Sequence, residues 1–521
     1  MARGDRHAAG GPRGVTRETD PAARVPDSRI HGDLAVVGAA EAATRIPDDA
    51  TMLVSGFGSV GYPKAVPKAL ADAAAVGGDD EGEDAGRDLS LSVVSGGSVG
   101  EEIDEALVEA DAIDRRYPFQ AREAINAAIN DGRVAFADRH ISSLGDDVRF
   151  GGMVETDGSV AVVEAVAVGP DWLIPSTSVG LTDAFVEAAD SLIVEVNHDQ
   201  PLSLAAFHDV YRTGTPPERE PIPLTSPDER IGGPRIEFEP EKLAAVVETT
   251  GRDAPYEFRD PTDVDLEIAD RLGDFLEREV ERSSLYDDSM RIQFGVGSLG
   301  NALMGALGDA DLGDRDLIYY GEVLQDGLLD LLDTGELRSA SATSLALSTE
   351  GQERLFEDAE RYAEDVVIRT GNVSNGPALI DRFGVVAVNS AVEVDLYGHV
   401  NSTNLGGSRM ISGVGGSGDF TRNAPLSVVA LGSTAAGGDI SKIVPKASHV
   451  DHTEHDVDVV ITEHGVADLR GTSPRERAEA LVECAHPDYR EDLRAYLDRA
   501  GEGGGHEPVD LDTAFDWTDR A

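Results

Sequence analysis

Two glycine-rich turns in this 521-residue chain have the composition of an anion-binding loop. In the first half the apolar segment 51–54 runs into SGFGSVGYPK, and in the second half 290–294 runs into GVGSLGNA. Glycines in a turn that opens a helix leave backbone N–H groups free to point at a phosphate or a developing oxyanion. We therefore interpret Gly295 and Gly297 as part of a binding site.

An acidic residue, Glu322, follows the next apolar segment of the second half, in the sequence LIYYGEVLQDG. Open α/β sheets bind ligands in the crevice at the carboxyl ends of their strands. A carboxylate in that crevice can act as a nucleophile toward an activated acyl group. On spacing alone, the simpler interpretation is an acid that the dipole of the following helix stabilises.

The C-terminal half also contains another glycine-rich loop, and a second acid at the end of a predicted strand. The segment GVGGSGDF, which contains Gly415 and Gly416, has too much glycine for a regular element and is typical of a binding loop. Glu463 follows the apolar segment 457–462. Two glutamates at strand ends of one sheet would suit a nucleophile and a partner that orients it or handles protons.

The second glycine turn also fits a dinucleotide-binding fingerprint, because Gly295-x-Gly-x-x-Gly300 is followed 22 residues later by Glu322. The same glycine spacing occurs at 56–61, where no carboxylate follows the next strand. The helix after the second turn is also interrupted by Gly305 and Gly308. A nicotinamide-dependent oxidoreductase is the alternative from a different class.

Three histidines at a spacing of three, His449, His452 and His455, raise the question of a metal. The spacing does not match the usual layout of two histidines with a distant carboxylate. We expect hydrogen-bonded structural histidines and no metal. The lone Cys484 excludes an internal disulfide and a cysteine-rich metal site.

The order strand, glycine turn, helix, strand occurs in both halves and indicates an internal duplication. It predicts an α/β fold with two open parallel sheets and the active site between them. We predict a disordered tail over 1–28, a first domain over 29–240, a proline- and charge-rich linker over 241–264 and a second domain over 265–521.

The composition is strongly acidic, with 98 Asp and Glu against 44 Lys and Arg and a net charge of -54. Such a field repels nucleic acids and anionic membranes. No apolar run approaches the ~20 residues that cross a bilayer, and we expect a cytoplasmic protein. Only five of the basic residues are lysines, which favours a salt-adapted, halophilic cytoplasm where counterions screen the repulsion.

Several segments, taken in order from about 30 to 515, resemble the acetyl-CoA hydrolase/acetate CoA-transferase family. They are SGFGSVGYPKAVP, GVGSLGNA, YYGEVLQDGLLDLLDTG, NVSN, GVGGSGDFTRNA and SHVDHTEHDVDVVITEHGVADLRG. The resemblance implies a pair of CoA-transferase α/β domains, commonly assembled as a homodimer. It also implies that acyl-CoA and small carboxylates are the partners, with coenzyme A as a substrate and no tightly bound cofactor.

The resemblance also implies roles for single residues. In such enzymes the glutamate that matches Glu322 carries the acyl group and then CoA. The remaining matches are the backbone of Leu299 and Gly416 as oxyanion donors, Asn375 as a carboxylate-binding amide, Glu463 as a second active-site glutamate and Arg230 as a nearby arginine. Where this family is expected to have SGFTPAGYPK, the chain has SGFGSVGYPK, which leaves the size of the substrate open.

The expected function is CoA transfer between short-chain acids such as acetate, succinate and propionate, through a glutamyl-CoA thioester. If water resolves the covalent intermediate, the same site is mainly an acetyl-CoA hydrolase. A CoA-binding sensor without activity is a further alternative, which the joint presence of Glu322, Asn375 and Glu463 disfavours.

Overall fold

The computed structural model describes residues 21, 24–75, 86–152, 158–255 and 259–517. Its helices, in chain order, are α1 Ala39–Ala43, α2 Ala65–Ala75, α3 Glu101–Asp104, α4 Ala106–Glu109, α5 Glu123–Asn130, α6 Ile141–Asp146, α7 Thr182–Ala188, α8 Asp263–Arg282, α9 Ser298–Asp309, α10 Asp326–Thr334, α11 Thr349–Glu357, α12 Ala359–Asp365, α13 Gly371–Ser374, α14 Pro377–Phe383, α15 Ser417–Asn423, α16 Pro474–Cys484 and α17 Pro487–Glu502. None of the helices in these ranges is long and apolar enough to span a membrane.

A first sheet is built mainly from the first half of the chain. The strands of this half are β1 Thr51–Val54, β2 Leu91–Ser95, β3 Ile113–Tyr117, β4 Ala135–Phe136, β5 Val160–Val168, β6 Trp172–Pro175, β7 Ser191–Asn197, β8 His208–Asp209, β9 Ile236–Glu237 and β10 Leu243–Thr249. The main path runs β10-β7-β5-β1-β2-β3-β4, and its neighbours pair in parallel. β6 and β9 extend the sheet in antiparallel pairing.

A second sheet is built mainly from the second half. The strands of this half are β11 Ser289–Phe294, β12 Asp316–Tyr320, β13 Val323–Leu324, β14 Leu337–Ala342, β15 Ser344–Leu345, β16 Val366–Arg369, β17 Val385–Asn389, β18 Glu393–Asp395, β19 Val400–Asn401, β20 Asn404–Leu405, β21 Arg409–Met410, β22 Leu426–Ala430, β23 Thr434–Ala435, β24 Ile440–Ser441, β25 Ile443–Val444, β26 Val459–Thr462 and β27 Gly465–Asp468. The order in this sheet is β27-β26-β22-β17-β11-β12-β14-β16-β8, and only the terminal β27 pairs antiparallel among these described strands.

The central strands are buried along their whole length and consist mostly of apolar residues. All nine residues of β5, VAVVEAVAV, are buried, and so are all five residues of β17. A parallel strand with two covered faces needs apolar side chains in both directions. These strands form the cores of the two halves.

The same local order recurs in both halves. β1 leads through a glycine turn into α2 and then β2, and β11 leads through a glycine turn into α9 and then β12. β1 pairs in parallel with β2, as β11 does with β12. The predicted α/β fold with two open parallel sheets is therefore confirmed.

Two edge strands depart from the predicted domain boundaries. β10 lies within the segment 241–264 that we expected as a linker, yet it pairs in parallel with β7 of the first sheet. β8 lies within the expected first domain, yet it pairs with β16 of the second sheet. Each short strand pairs backbone groups that a sheet edge would otherwise expose.

The predicted tail, residues 1–28, falls mostly outside the described residues. Within the described part, Arg24 is buried and its Nη2 donates to the backbone oxygen of His208 at 2.6 Å. This end of the expected tail is therefore packed against β8 at the edge of the second sheet.

Candidate active site

Glu322 lies between β12 and β13, at the carboxyl end of a strand in the middle of the second sheet. Its backbone oxygen accepts hydrogen bonds from the N–H groups of Thr343 (2.8 Å) and Ser344 (3.1 Å). Its partly buried side chain accepts a hydrogen bond at Oε1 from Nδ2 of Asn375, at 2.7 Å. Glu322 is thus held at both its backbone and its carboxylate.

The backbone of Gly416 lies directly against the Glu322 carboxylate. A Cβ atom added at this glycine would lie 1.9 Å from Oε1 and 2.1 Å from Cδ of Glu322. The preceding Gly415 has a φ of 56°, a left-handed conformation that favours glycine. The structure therefore brings together three residues singled out from the sequence, Glu322, Asn375 and Gly416.

Two further residues of this cluster, Asp419 and Ser142, were not singled out from the sequence. Oδ2 of Asp419 lies 3.3 Å from Nδ2 of Asn375, and Ser142 donates to both Asp419 oxygens. Asp419 lies inside the conspicuous segment GGSGDF, so its position was a usable signal. Ser142 belongs to the first domain, and no local pattern connects it to this segment.

Burial raises the pKa of Glu322 to about 7. The hydrogen bond from Asn375 lowers the pKa, and the nearby Asp419 charge raises it. A carboxylate in such surroundings is less stabilised by solvent than an exposed one. It is therefore a better nucleophile once it is ionised.

The second glycine turn lines a small cavity at the carboxyl ends of β11 and β17. The cavity has a volume of about 170 Å³ and includes Gly295, Gly297, Leu299 and Asn389 in its wall. Leu299 lies in the first turn of α9, where backbone N–H groups lack an acceptor within the helix. Arg259, which the sequence analysis did not single out, also lines the cavity and pairs with Asp265.

The corresponding turn of the first half is filled by the protein itself. The N–H of Gly61 donates to Oδ1 of Asp253 at 3.2 Å. Lys64 Nζ lies 2.6 Å from Glu164 and 2.8 Å from Asp253, and all three side chains are buried. The two similar glycine turns therefore have different roles. In the first turn, the N–H of Gly61 is already bonded to the side chain of Asp253.

Glu463 follows β26 at the same edge of the second sheet, but four strand spacings from Glu322 in the order β26-β22-β17-β11-β12. At ~4.8 Å per spacing this is about 19 Å. Its carboxylate accepts from the N–H (2.8 Å) and the hydroxyl (2.5 Å) of Ser433. Burial lowers the pKa of the neighbouring Lys442 to about 8, which the charge of Glu463 opposes. The structure does not bring Glu463 to Glu322.

Arg230 lies at the amino end of β16, opposite the sheet edge that carries Glu322. Its guanidinium donates to four backbone oxygens, at distances of 2.8 to 3.3 Å, those of Phe207, His208, Ala363 and Val366. Burial lowers its pKa to about 9. These hydrogen bonds connect β8 to the second sheet. Glu322 is not among the contacts of Arg230.

Replacing Arg230 by alanine is expected to destabilise the fold by roughly 2 to 4 kcal/mol, because four backbone carbonyls of buried residues each lose a hydrogen bond. Chemical unfolding measures this loss, and KM of the folded enzyme should stay unchanged. Arg230→Lys, which keeps the charge but not the fork of donors, should recover only part of the stability. A raised KM with unchanged stability would instead identify a substrate-binding arginine.

The three histidines of the segment SHVDHTEH have separate partners. His449 lies 3.1 Å from Asp451, the buried His452 lies 3.4 Å from Ser417 Oγ, and the exposed His455 lies 3.1 Å from Glu454. A different group, formed by His399, Glu454 and Glu507, has ligand atoms within 4.8 Å of one another. Lys446 Nζ lies 3.3 Å from Glu507, so an ammonium already supplies positive charge there.

The two open parallel sheets are an α/β architecture that also occurs in a solved CoA-transferase. A solved 4-hydroxybutyrate CoA-transferase from Porphyromonas gingivalis shares the fold, with a TM-score of 0.58 and 22% identity over 89% of this chain and 97% of that one.

Family models extend this likeness to the sequence. The acetyl-CoA hydrolase/transferase N-terminal domain matches residues 34–248, and the corresponding C-terminal domain matches residues 351–497. The chain is 41% identical to a succinyl-CoA:acetate CoA-transferase of Clostridium kluyveri, over 92% of this chain and 88% of that protein. It is also 41% identical to an acetyl-CoA hydrolase of Candida glabrata, over 88% and 89%. The chain belongs to the acetyl-CoA hydrolase/transferase family, and it is an enzyme of that family.

Proposed function

We propose that this enzyme transfers coenzyme A between short-chain carboxylic acids through a glutamyl-CoA thioester on Glu322. The observation that carries the proposal is the Glu322 carboxylate, held at 2.7 Å by Asn375 and lying directly against Gly416. The similarity to a protein named succinyl-CoA:acetate CoA-transferase supports a small dicarboxylate and acetate as the substrate class.

The proposed reaction begins when a Glu322 oxygen attacks the thioester carbonyl of acyl-CoA. The carbonyl oxygen becomes an oxyanion, which backbone N–H groups of Gly416 and Leu299 stabilise by about 3 kcal/mol each. CoA thiolate leaves and an acyl-glutamyl anhydride forms. The thiolate then attacks the Glu322 carbonyl, the free carboxylate departs and the glutamyl-CoA thioester remains. An acceptor carboxylate reverses these steps, so no net proton is gained or lost.

Large apolar side chains near Glu322 support a short acyl group. Phe57 of the first glycine turn packs with Ile141 and with Val323, the residue that follows Glu322. Phe119 approaches the glycine loop, since a Cβ at Gly415 would lie 3.1 Å from its ring. A long acyl chain would have to displace these side chains.

Hydrolysis of acetyl-CoA is the second candidate function. It is supported by the similarity to a protein named acetyl-CoA hydrolase and by the partial exposure of Glu322. Water that reaches the thioester would release the acid and CoA. A comparison of free thiol with newly formed thioester, with and without a panel of carboxylates, separates the two activities.

Trapping the covalent intermediate tests the proposed mechanism. Incubation with acyl-CoA in the absence of an acceptor, followed by borohydride, should reduce the glutamyl thioester and inactivate the enzyme. Mass spectrometry should then locate the change on the peptide that contains Glu322. An unmodified Glu322 peptide, or a modification elsewhere, would contradict the mechanism.

The rate of transfer should rise with pH through about 7, because the nucleophile is the ionised form of Glu322 and its pKa is about 7. An ordinary glutamate would be ionised well below this pH, so the profile would already be flat. The measurement is kcat/KM between about pH 5 and about pH 9, at constant ionic strength. A flat profile would contradict the raised pKa.

We infer a salt-adapted, cytoplasmic protein from the net charge of -54 and the scarcity of lysine. Raising KCl from about 0.1 M to about 2 M should increase the thermal midpoint by roughly 10 °C or more, because the screening length falls severalfold. A neutral osmolyte at equal osmolality is the control. Equal stabilisation by both additives would contradict charge screening. The homodimer remains a prediction.

A further inference from the structure

Asn375 donates from one nitrogen to two carboxylates. Its Nδ2 lies 2.7 Å from Oε1 of Glu322 and 3.3 Å from Oδ2 of Asp419. Its Oδ1 is buried and has no hydrogen-bond partner among the described residues. A reversed amide would place Oδ1 between two carboxylates, which cannot donate when they are ionised. The second carboxylate, Asp419, therefore adds to the preference for the donor end of the amide to face Glu322.

Asp419 is in turn held by the first domain. The N–H of Ser142 donates to Oδ2 at 2.9 Å, and its hydroxyl donates to Oδ1 at 2.5 Å. Ser142 lies in α6, which also packs against α13, the helix that ends immediately before Asn375. Asp419 is only 3% exposed. One helix of the first domain thus contacts both elements that orient the Asn375 amide.

The other groups that face this pair come from α6 and β12. His140 precedes Ser142, and its ring occupies the space where a Cβ of Gly418 would lie. Burial raises the pKa of Asp419, which the Ser142 hydrogen bonds and the His140 charge oppose. Tyr319 lies near Glu322 on the other side, and burial keeps its hydroxyl protonated by raising its pKa.

We propose that Asp419 is a positioning residue, anchored by Ser142 of the first domain, which holds the Asn375 amide in the orientation that Glu322 needs. The inference rests on the proposed role of Glu322 as nucleophile. Asp419 also repels the ionised form of Glu322 but not its uncharged anhydride or thioester, and it thereby favours the covalent step. The contact between Asp419 and the first domain thus controls the reactivity of Glu322 in the second domain.

Asp419→Asn tests this proposal, because it keeps the shape of the side chain and removes its charge. A water-soluble carbodiimide reacts with protonated carboxyl groups, so the pH profile of Glu322 labelling, followed by peptide mass spectrometry, reports its ionisation without turnover. We expect kcat to fall about tenfold at similar KM and the labelling midpoint to move, to lower pH if the lost repulsion dominates and to higher pH if Asn375 turns away from Glu322. A midpoint and a kcat that both stay unchanged would overturn the proposal.

Two further sets of variants separate positioning from general disruption. Ser142→Ala should lower kcat less than Asp419→Asn does, and Ser142→Thr, which keeps the hydroxyl, should restore it. Asp458→Asn is the matched control, since Asp458 also accepts a serine N–H, from Ser427 at 2.9 Å, but at the amino end of the second sheet. A shift of the Glu322 midpoint in this control would refute a specific effect of Asp419.

The labelling experiment distinguishes a failure of the proposed role of Glu322 from a failure of the proposed role of Asp419. If Glu322→Gln retained turnover, Glu322 would not be the nucleophile and the proposed function would fail. The labelling midpoints of the wild type, Asp419→Asn and Asp458→Asn would still show whether Asp419 controls the ionisation of Glu322.

Discussion

Glu322→Gln is expected to reduce kcat by at least about 10⁴-fold, because an amide cannot form the anhydride or the thioester. The substitution keeps an oxygen that can accept the hydrogen bond from Asn375. Binding of CoA should therefore change little. Steady-state kinetics and calorimetric titration with CoA measure the two quantities, and a variant with more than a few per cent of wild-type turnover would exclude the covalent role.

The same variant should be more stable than the wild type at about pH 8, by roughly 3 kcal/mol. The folded-state pKa of Glu322, about 7, lies above its ordinary value of 4.5, so burial of the ionised group costs stability. This cost is absent below about pH 4.5, grows as the pH rises to 7 and is complete above it. Denaturant titrations of both proteins at about pH 4.5 and about pH 8 should show the difference only at the higher pH.

Gly416→Ala is expected to reduce kcat by about 100-fold or more, because the new methyl group would lie 1.9 Å from a carboxylate oxygen of Glu322. Glu322 would have to leave its position against the loop, and the proposed oxyanion donor would move with the backbone. The backbone of Gly416 has a φ of -87°, which alanine adopts without strain. The loss should therefore appear in kcat and not in the free energy of unfolding.

Gly305→Ala is the matched control for this substitution. Gly305 lies on an exposed position of α9, and an added Cβ would meet no heavy atom within 4 Å. Alanine should stabilise the helix by about 0.5 to 1 kcal/mol and leave kcat unchanged. Equal losses of activity in both variants would show that the effect of Gly416→Ala is not local.

The position of Glu322 could be predicted from the sequence because it depends on local rules. An apolar segment predicts a buried parallel strand, and the residue after that strand must lie at the ligand-binding edge. The duplication of strand, glycine turn and helix was visible for the same reason. These rules do not give the order of the strands in the sheet, so the three strands that lie between β26, which precedes Glu463, and β12, which precedes Glu322, could not be predicted.

Contacts between segments that are distant in the chain account for the other differences between the sequence-based expectations and the structure. The family resemblance implied an arginine near the active site at Arg230, whereas its guanidinium bonds to carbonyls from two segments more than 100 residues apart. Asp253, inside the expected linker, fills the first glycine turn. Ser142 approaches Asp419 only because the two halves pack together. None of these pairings leaves a periodic signal in the chain.

The pairing of β8 with the second sheet constrains how the enzyme can be divided. Since β8 precedes β10 in the chain but belongs to the second sheet, no single break in the polypeptide yields one fragment with all of the first sheet and another with all of the second. At least one of two separately expressed halves would lack a strand of its own sheet. Engineering of this enzyme must therefore treat both lobes as a single module.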